Sequence, residues 1–155
     1  RYVDNRAEQA FALTNLGHAL VNLGRLAEAA DAYQQALALR FDSGALHLAM
    51  ESRAGLARVS LAEGNPSQAL AQVEKILDYL EDKTLHGTYE PFRVYLTCYN
   101  VLRANRDPRS ESILDTAYDS LRERADKITD EYLRRSFLDN VVAHRTIADE
   151  FADRK

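Results

Sequence analysis

The feature that most constrains this chain is an internal repeat. Setting Gly24 upon Gly64 superposes Ala29 on Ala69, Tyr33 on Val73, Ala36 on Ile76 and Leu16-Gly17 on Leu56-Ala57, with no gap inside the unit. The offset is 40 residues. A unit that returns in register at this length carries an apolar side it cannot bury alone, so successive copies must stack. A third copy begins near Pro91 and places Val94, Thr97, Cys98, Val101, Ser110, Leu114 and Ala117 at the packing positions.

Local signals divide each copy into two helices. Arg1 to Asn5 form a frayed lead-in, Ala7 to Leu23 has helical spacing, and Gly24 terminates it. A second helix spans about Leu26 to Arg40. Asp42 or Ser43 is the expected cap of a third, which continues to about Glu63. Asn65-Pro66-Ser67-Gln68 is a strong start signal: Asn65 can cap, proline suits the first helical position, and Gln68 can reach back to the cap. The fourth helix runs to about Glu81, and Asp82 to Glu90, with Gly87 and no periodicity, reads as a loop. Asp107-Pro108 repeats the cap-plus-proline device and opens a helix to about Lys127. Thr129 or Asp130 caps a seventh helix to about Leu138, and after Asn140 a final amphipathic segment carries Val142, Ile147 and Phe151. This last pair lacks the small-residue slot, as suits a unit with no successor to stack on it.

The run from Ala10 to Leu39 resembles a tetratricopeptide repeat. Leu13, Asn15, Leu16, Gly17, Leu20, Gly24, Glu28, Ala29, Tyr33, Ala36 and Leu37 carry the likeness. The family period is about 34 residues, so about six extra residues lengthen the helices or their connection. The resemblance implies an all-α, TPR-like right-handed superhelical solenoid of antiparallel helix pairs with a C-terminal helical cap. It is read as a single domain over residues 1–155, with repeats at about 10–43, 50–83 and 91–127 and the cap at about 129–153. Close crossings are expected where small residues meet: Gly17 against Ala29 with Leu16, Leu20 and Tyr33 flanking, Ala57 against Ala69, and Cys98 near Ser110.

Composition excludes several functions. A net charge of -4 offers no overall basic field for nucleic acid. The cluster Arg122, Arg124, Lys127, Arg134 and Arg135 is interleaved with acids and lacks regular stacking aromatics. His18, His47, His86 and His144 lie on four segments with no metal-ligand spacing, and no glycine-rich phosphate loop appears. The carboxylates follow solvent-facing spacing and the serines lack a nucleophile-elbow context. The sequence therefore predicts no enzyme, cofactor, metal, nucleic acid or membrane partner. Cys98 cannot form an internal disulfide and reads as a small buried hydrophobe, consistent with a reducing, cytoplasmic setting.

What remains is a binding surface. In stacked two-helix units the first helices line one side. With the packing positions assigned to the core, Asn15, His18 and Asn22 of the first unit, Glu51 and Arg58 of the second, and Tyr95, Tyr99 and Arg103 of the third face that groove, alongside Phe11, Thr14, Leu61 and Phe92. Polar groups beside aromatics suit a peptide or helix as partner. The clamp by which relatives hold acidic chaperone tails needs Lys, Asn and Arg at set positions, where this chain has Thr14, His18, Gly55, Phe92 and Leu96.

A narrower likeness runs through Tyr95-Leu96-Thr97-Cys98-Tyr99, Asp107-Pro108-Arg109, and Leu133 to Val141 followed by His144-Arg145. These are similar to C-terminal repeat arms of large bacterial signalling ATPases, transcription activators and adenylyl cyclases. That implies an alternative role as an intramolecular regulatory or sensor arm. The chain starts at Arg1 without methionine, which reads as a piece of a longer protein. Loss of preceding repeats would leave Phe11 and Leu20 partly uncovered, and a homodimer through the first helix pair is the expected consequence.

Overall fold

The computed structural model describes residues 5–154, so Arg1 to Asp4 of the lead-in lie outside the described residues. Eight helices make up the described chain: α1 (Arg6–Asn22), α2 (Leu26–Asp42), α3 (Leu46–Ala62), α4 (Pro66–Leu80), α5 (Pro91–Ala104), α6 (Arg109–Asp126), α7 (Glu131–Asp139) and α8 (Val142–Asp153). There is no strand among the described residues. The fold is all-α and TPR-like. The chain forms two compact units, Arg1–Pro91 and Phe92–Lys155.

In the first unit α1 pairs with α2, α3 packs on both α1 and α2, and α4 pairs with α3. The helix pairs turn through one device. At Gly24 (φ 75°) and Gly64 (φ 78°) the backbone enters the left-handed region. The next amide then closes back over the helix end, Arg25 N–H to Leu20 O and Asn65 N–H to Ser60 O, both 2.9 Å. Gly44 repeats it between α2 and α3 (φ 73°). Helix α2 therefore runs through Asp42, and α3 starts after Ala45 rather than after a cap at Asp42 or Ser43. The Ser43 hydroxyl instead donates backward to Leu39 O (2.9 Å), satisfying an end carbonyl of α2. Asn65 is the cap expected of it: its Oδ1 accepts from Gln68 N–H (3.2 Å) and its Nδ2 donates to Gln68 Oε1 (2.9 Å).

At the expected crossing of α1 and α2, Gly17 lies against the ring of Tyr33, the flanking tyrosine. A Cβ on Gly17 would stand 2.6 Å from Tyr33 Cε1, and a Cβ on Gly55 would stand 2.5 Å from the same atom. Tyr33 is fully buried, a flat ring slotted between two glycines on α1 and α3. Glycine is needed at both positions because the space of any side chain is already filled. Leu20, expected to be partly uncovered, is buried in this cluster with Ala29, Ala32, Leu56 and Val59. Leu16, expected to flank the crossing, is instead 49% exposed.

In the second unit the turn from α5 to α6 uses the same closure without glycine. Arg106 adopts φ 55°, and Asp107 N–H bonds Leu102 O at 2.9 Å. Asp107 Oδ1 then accepts from Arg109 N–H (3.0 Å), and the carboxylate also takes the Arg109 guanidinium. Asp130 caps α7 by accepting from Leu133 N–H (2.9 Å). Helix α8 packs on α6 and α7. Ile147 is its fully buried anchor, Phe151 stacks on Tyr118 with centroids 3.8 Å apart, and Arg154 reaches Glu111 (3.0 Å) and Asp115. Cys98 is a buried cysteine, as its small-residue slot predicts. Ala57, Ala69 and Ser110 are buried as well.

Candidate functional site

On α1 the residues Phe11, Asn15, His18 and Asn22 fall at helical spacing along one side. Glu51 and Arg58 on α3 are the repeat equivalents of Phe11 and His18. Asn15 and Asn22 are exposed, while His18, Glu51 and Arg58 are half-buried. Thr14, also expected here, is turned inward, and its hydroxyl donates to Ala10 O at 2.9 Å. His18 Nδ1 meets the Tyr33 hydroxyl at 2.7 Å, so the polar tip of the buried tyrosine emerges on this face.

The connection between α4 and α5 turns back onto the same face. The Tyr89 ring lies edge-on to Phe11 with centroids 4.9 Å apart. Glu90 N–H donates to Glu51 Oε1 at 2.8 Å, and the Glu90 carboxylate stands 3.6 Å from His18 Nε2. Gly87, at φ 86°, passes close to the His47 ring. Leu85 and Thr88 are buried, and Thr88 Oγ1 donates to Leu85 O (2.7 Å), which folds the segment on itself. Burial pushes the Glu51 carboxyl above its ordinary range, against the opposing pull of the Glu90 and Tyr89 amides. A carboxylate that tolerates this burial by holding main-chain N–H groups is a fitting receptor for extended backbone.

The third group of expected residues lies in the second unit and is largely committed to packing. Tyr95 and Tyr99 are buried, while Arg103 is exposed. The Tyr99 hydroxyl donates to Glu150 Oε2 (3.0 Å), which also takes Arg103 (3.2 Å), tying α5 to α8. Burial raises the pKa of both tyrosines, and for Tyr99 the neighbouring Glu150 adds to the effect. In the sequence, Leu85, Thr88 and Glu90 read as plain loop. The available signal was the density of aromatics beginning at Tyr89 just ahead of Pro91. Among the described residues no group of three His, Cys, Asp or Glu side chains is placed to hold a metal ion.

Comparison with known families agrees with this geometry. Residues 10–42 match the tetratricopeptide repeat family, and residues 50–75 match a second tetratricopeptide repeat model. The first unit carries tetratricopeptide repeats. These repeats are in general non-catalytic units that mediate protein–protein interaction. The two matched stretches cover α2 and most of α1, α3 and α4, so the face described above lies on the first helices of the matched repeats. No curated protein and no solved structure matches the chain. No helix of the described residues is long and apolar enough to cross a membrane.

Proposed function

We propose that the protein is a non-catalytic interaction module, cytoplasmic in setting, that binds a peptide on the α1/α3 face. Asn15, His18, Asn22, Glu51 and Arg58 supply the polar contacts and Phe11 the apolar one. Arg103, with Tyr95 and Tyr99 behind it, offers a contact of its own on the second unit. The observation that carries the reading is the bond from a main-chain amide to the half-buried Glu51. The test is selection of a displayed peptide library on the full chain, followed by NMR mapping of the winners. Shifts centred on Asn15, His18, Glu51 and Arg58, abolished by His18→Ala with Arg58→Ala, are expected. Peptides that bind elsewhere, or no enrichment at all, would overturn the reading.

Two further settings are favoured by particular surfaces. An apolar groove of about 580 Å³ between α1 and α2 is lined by Gln9, Ala12, Leu13, Gln35, Ala38 and Leu39. Leu16 beside it is 49% exposed, whereas its repeat equivalent Leu56, on α3, is 6% exposed. That contrast supports a homodimer through the first helix pair, a second copy covering what α1 leaves open. In the segment similar to bacterial signalling arms, Leu133, Val141 and Val142 are exposed beside Tyr132. This supports a regulatory arm docking within a longer parent chain, for which deletion of the arm must change the parent's activity.

A further inference from the structure

The segment from Leu85 to Glu90 occupies the surface assigned above to a partner, and it does so with a partner's chemistry. It is anchored at one end by the buried Leu85 and Thr88. At the other end it makes three different contacts with two helices. An aromatic ring packs on Phe11 of α1, a main-chain amide donates to Glu51 of α3, and a carboxylate faces His18 of α1. Yet Tyr89 remains 61% exposed and the Glu90 side chain is about half exposed (52%), so the contacts are shallow. Main-chain amide bonding to Glu51 supplies the directional contact; the ring contact and the His18 approach are each of a kind that contributes little at an exposed site. The connection is longer than the turns of the first unit, where α1–α2, α2–α3 and α3–α4 are joined by three residues each.

From these contacts we infer that residues 85–90 form a displaceable strap, an internal stand-in for the ligand. The external partner is then an extended peptide bearing an aromatic residue followed directly by an acidic one. This rests on the peptide-binding reading and gives it a sequence class. The aromatic side chain takes the place of Tyr89 on Phe11, the following amide takes the place of Glu90 N–H at Glu51, and the acidic group takes the place of the Glu90 carboxylate at His18. Tethering gives the strap a high effective concentration, so a free peptide of equal intrinsic affinity competes poorly until the strap is weakened.

The experiment uses the full chain and a fluorescein-labelled peptide of its own strap sequence, Thr-Leu-His-Gly-Thr-Tyr-Glu-Pro. The chain carrying Tyr89→Ala and Glu90→Gln together should bind this peptide about tenfold more tightly than the unaltered chain. Adding Phe11→Ala, at an exposed position, should remove the gain. Equal binding by the two chains, or no binding by the altered one with its helix content intact, overturns the inference. A second measurement needs no substitution in the chain. Hydrogen exchange at the Tyr89 and Glu90 amides should accelerate when a library-selected ligand of the α1/α3 face is saturating. Unchanged exchange would sink the strap while leaving peptide binding standing, whereas failure to select any ligand sinks the binding reading itself.

Discussion

Gly55 of α3 touches the Tyr33 ring so closely that a single added carbon would stand 2.5 Å from it, and one on Gly17 of α1 would stand 2.6 Å from it. One residue of α2 thereby sets how near α1 and α3 approach, and so sets the spacing of the face that carries His18 and Glu51. The ring cannot yield, because the second glycine's backbone lies against it.

Substitution at either glycine should therefore overpack the unit. Gly17→Leu is expected to cost about 1–3 kcal/mol, despite the better helix propensity of leucine. Gly55→Ala, tested singly and with Tyr33→Leu, should show strong non-additivity, the smaller side chain at residue 33 recovering part of the loss. Urea denaturation read by circular dichroism measures both. Unchanged midpoints would contradict the packing.

Arg106 holds a left-handed conformation of the kind that the turn glycines Gly24 and Gly64 adopt freely. For a residue with a Cβ that conformation costs about 1–2 kcal/mol. Replacement by glycine removes that cost, and part of the gain is offset because glycine loses more freedom on folding. Arg106→Gly is expected to raise the stability of the second unit by up to about 1 kcal/mol, visible as a higher melting temperature. A lower one would show that the arginine side chain contributes contacts of its own.

His144 sits between Phe92 and Phe137, with Nδ1 donating to Phe137 O at 2.7 Å. Burial holds its pKa below the ordinary histidine value, and nearby Arg124 adds a smaller push in the same direction, opposed by the Phe137 bond. The unfolded chain then binds a proton that the folded one refuses. Stability rises with pH across the window between the lowered folded value and about 6.5, and it falls as pH drops below about 6.5. His144→Gln should flatten that slope in melting temperature for the second unit. A slope identical to that of the unaltered chain would assign the pH dependence to other groups.

The exposed Leu16 and the apolar groove beside it predict concentration-dependent pairing. Sedimentation over a broad concentration range should show a dimer that Leu16→Asp abolishes without altering helix content. A constant monomer mass retires the pairing, and a dimer indifferent to Leu16→Asp moves it off the first helix pair.

The helices themselves were legible in the sequence because their determinants are local. Apolar spacing, the glycines at residues 24 and 64, and the caps at Asn65 and Asp130 act within a few positions of where they stand. The repeat pattern also marked the first-helix residues that share a side, since 3.6-residue geometry follows from spacing alone. Other features depend on residues far apart in the chain, and only the tertiary structure decided them. Gly17 and Gly55 are brought to one tyrosine by the stacking of α3 on the first pair. Leu16 and Leu56 are alike in the repeat, but they differ in exposure because their neighbours differ. Arg106 turns where no glycine advertises a turn, held by a closure that any residue can make at a cost. The strap was invisible as more than a loop, because its meaning lies in Glu90 reaching Glu51 across 39 residues. No local periodicity encodes a contact of that range.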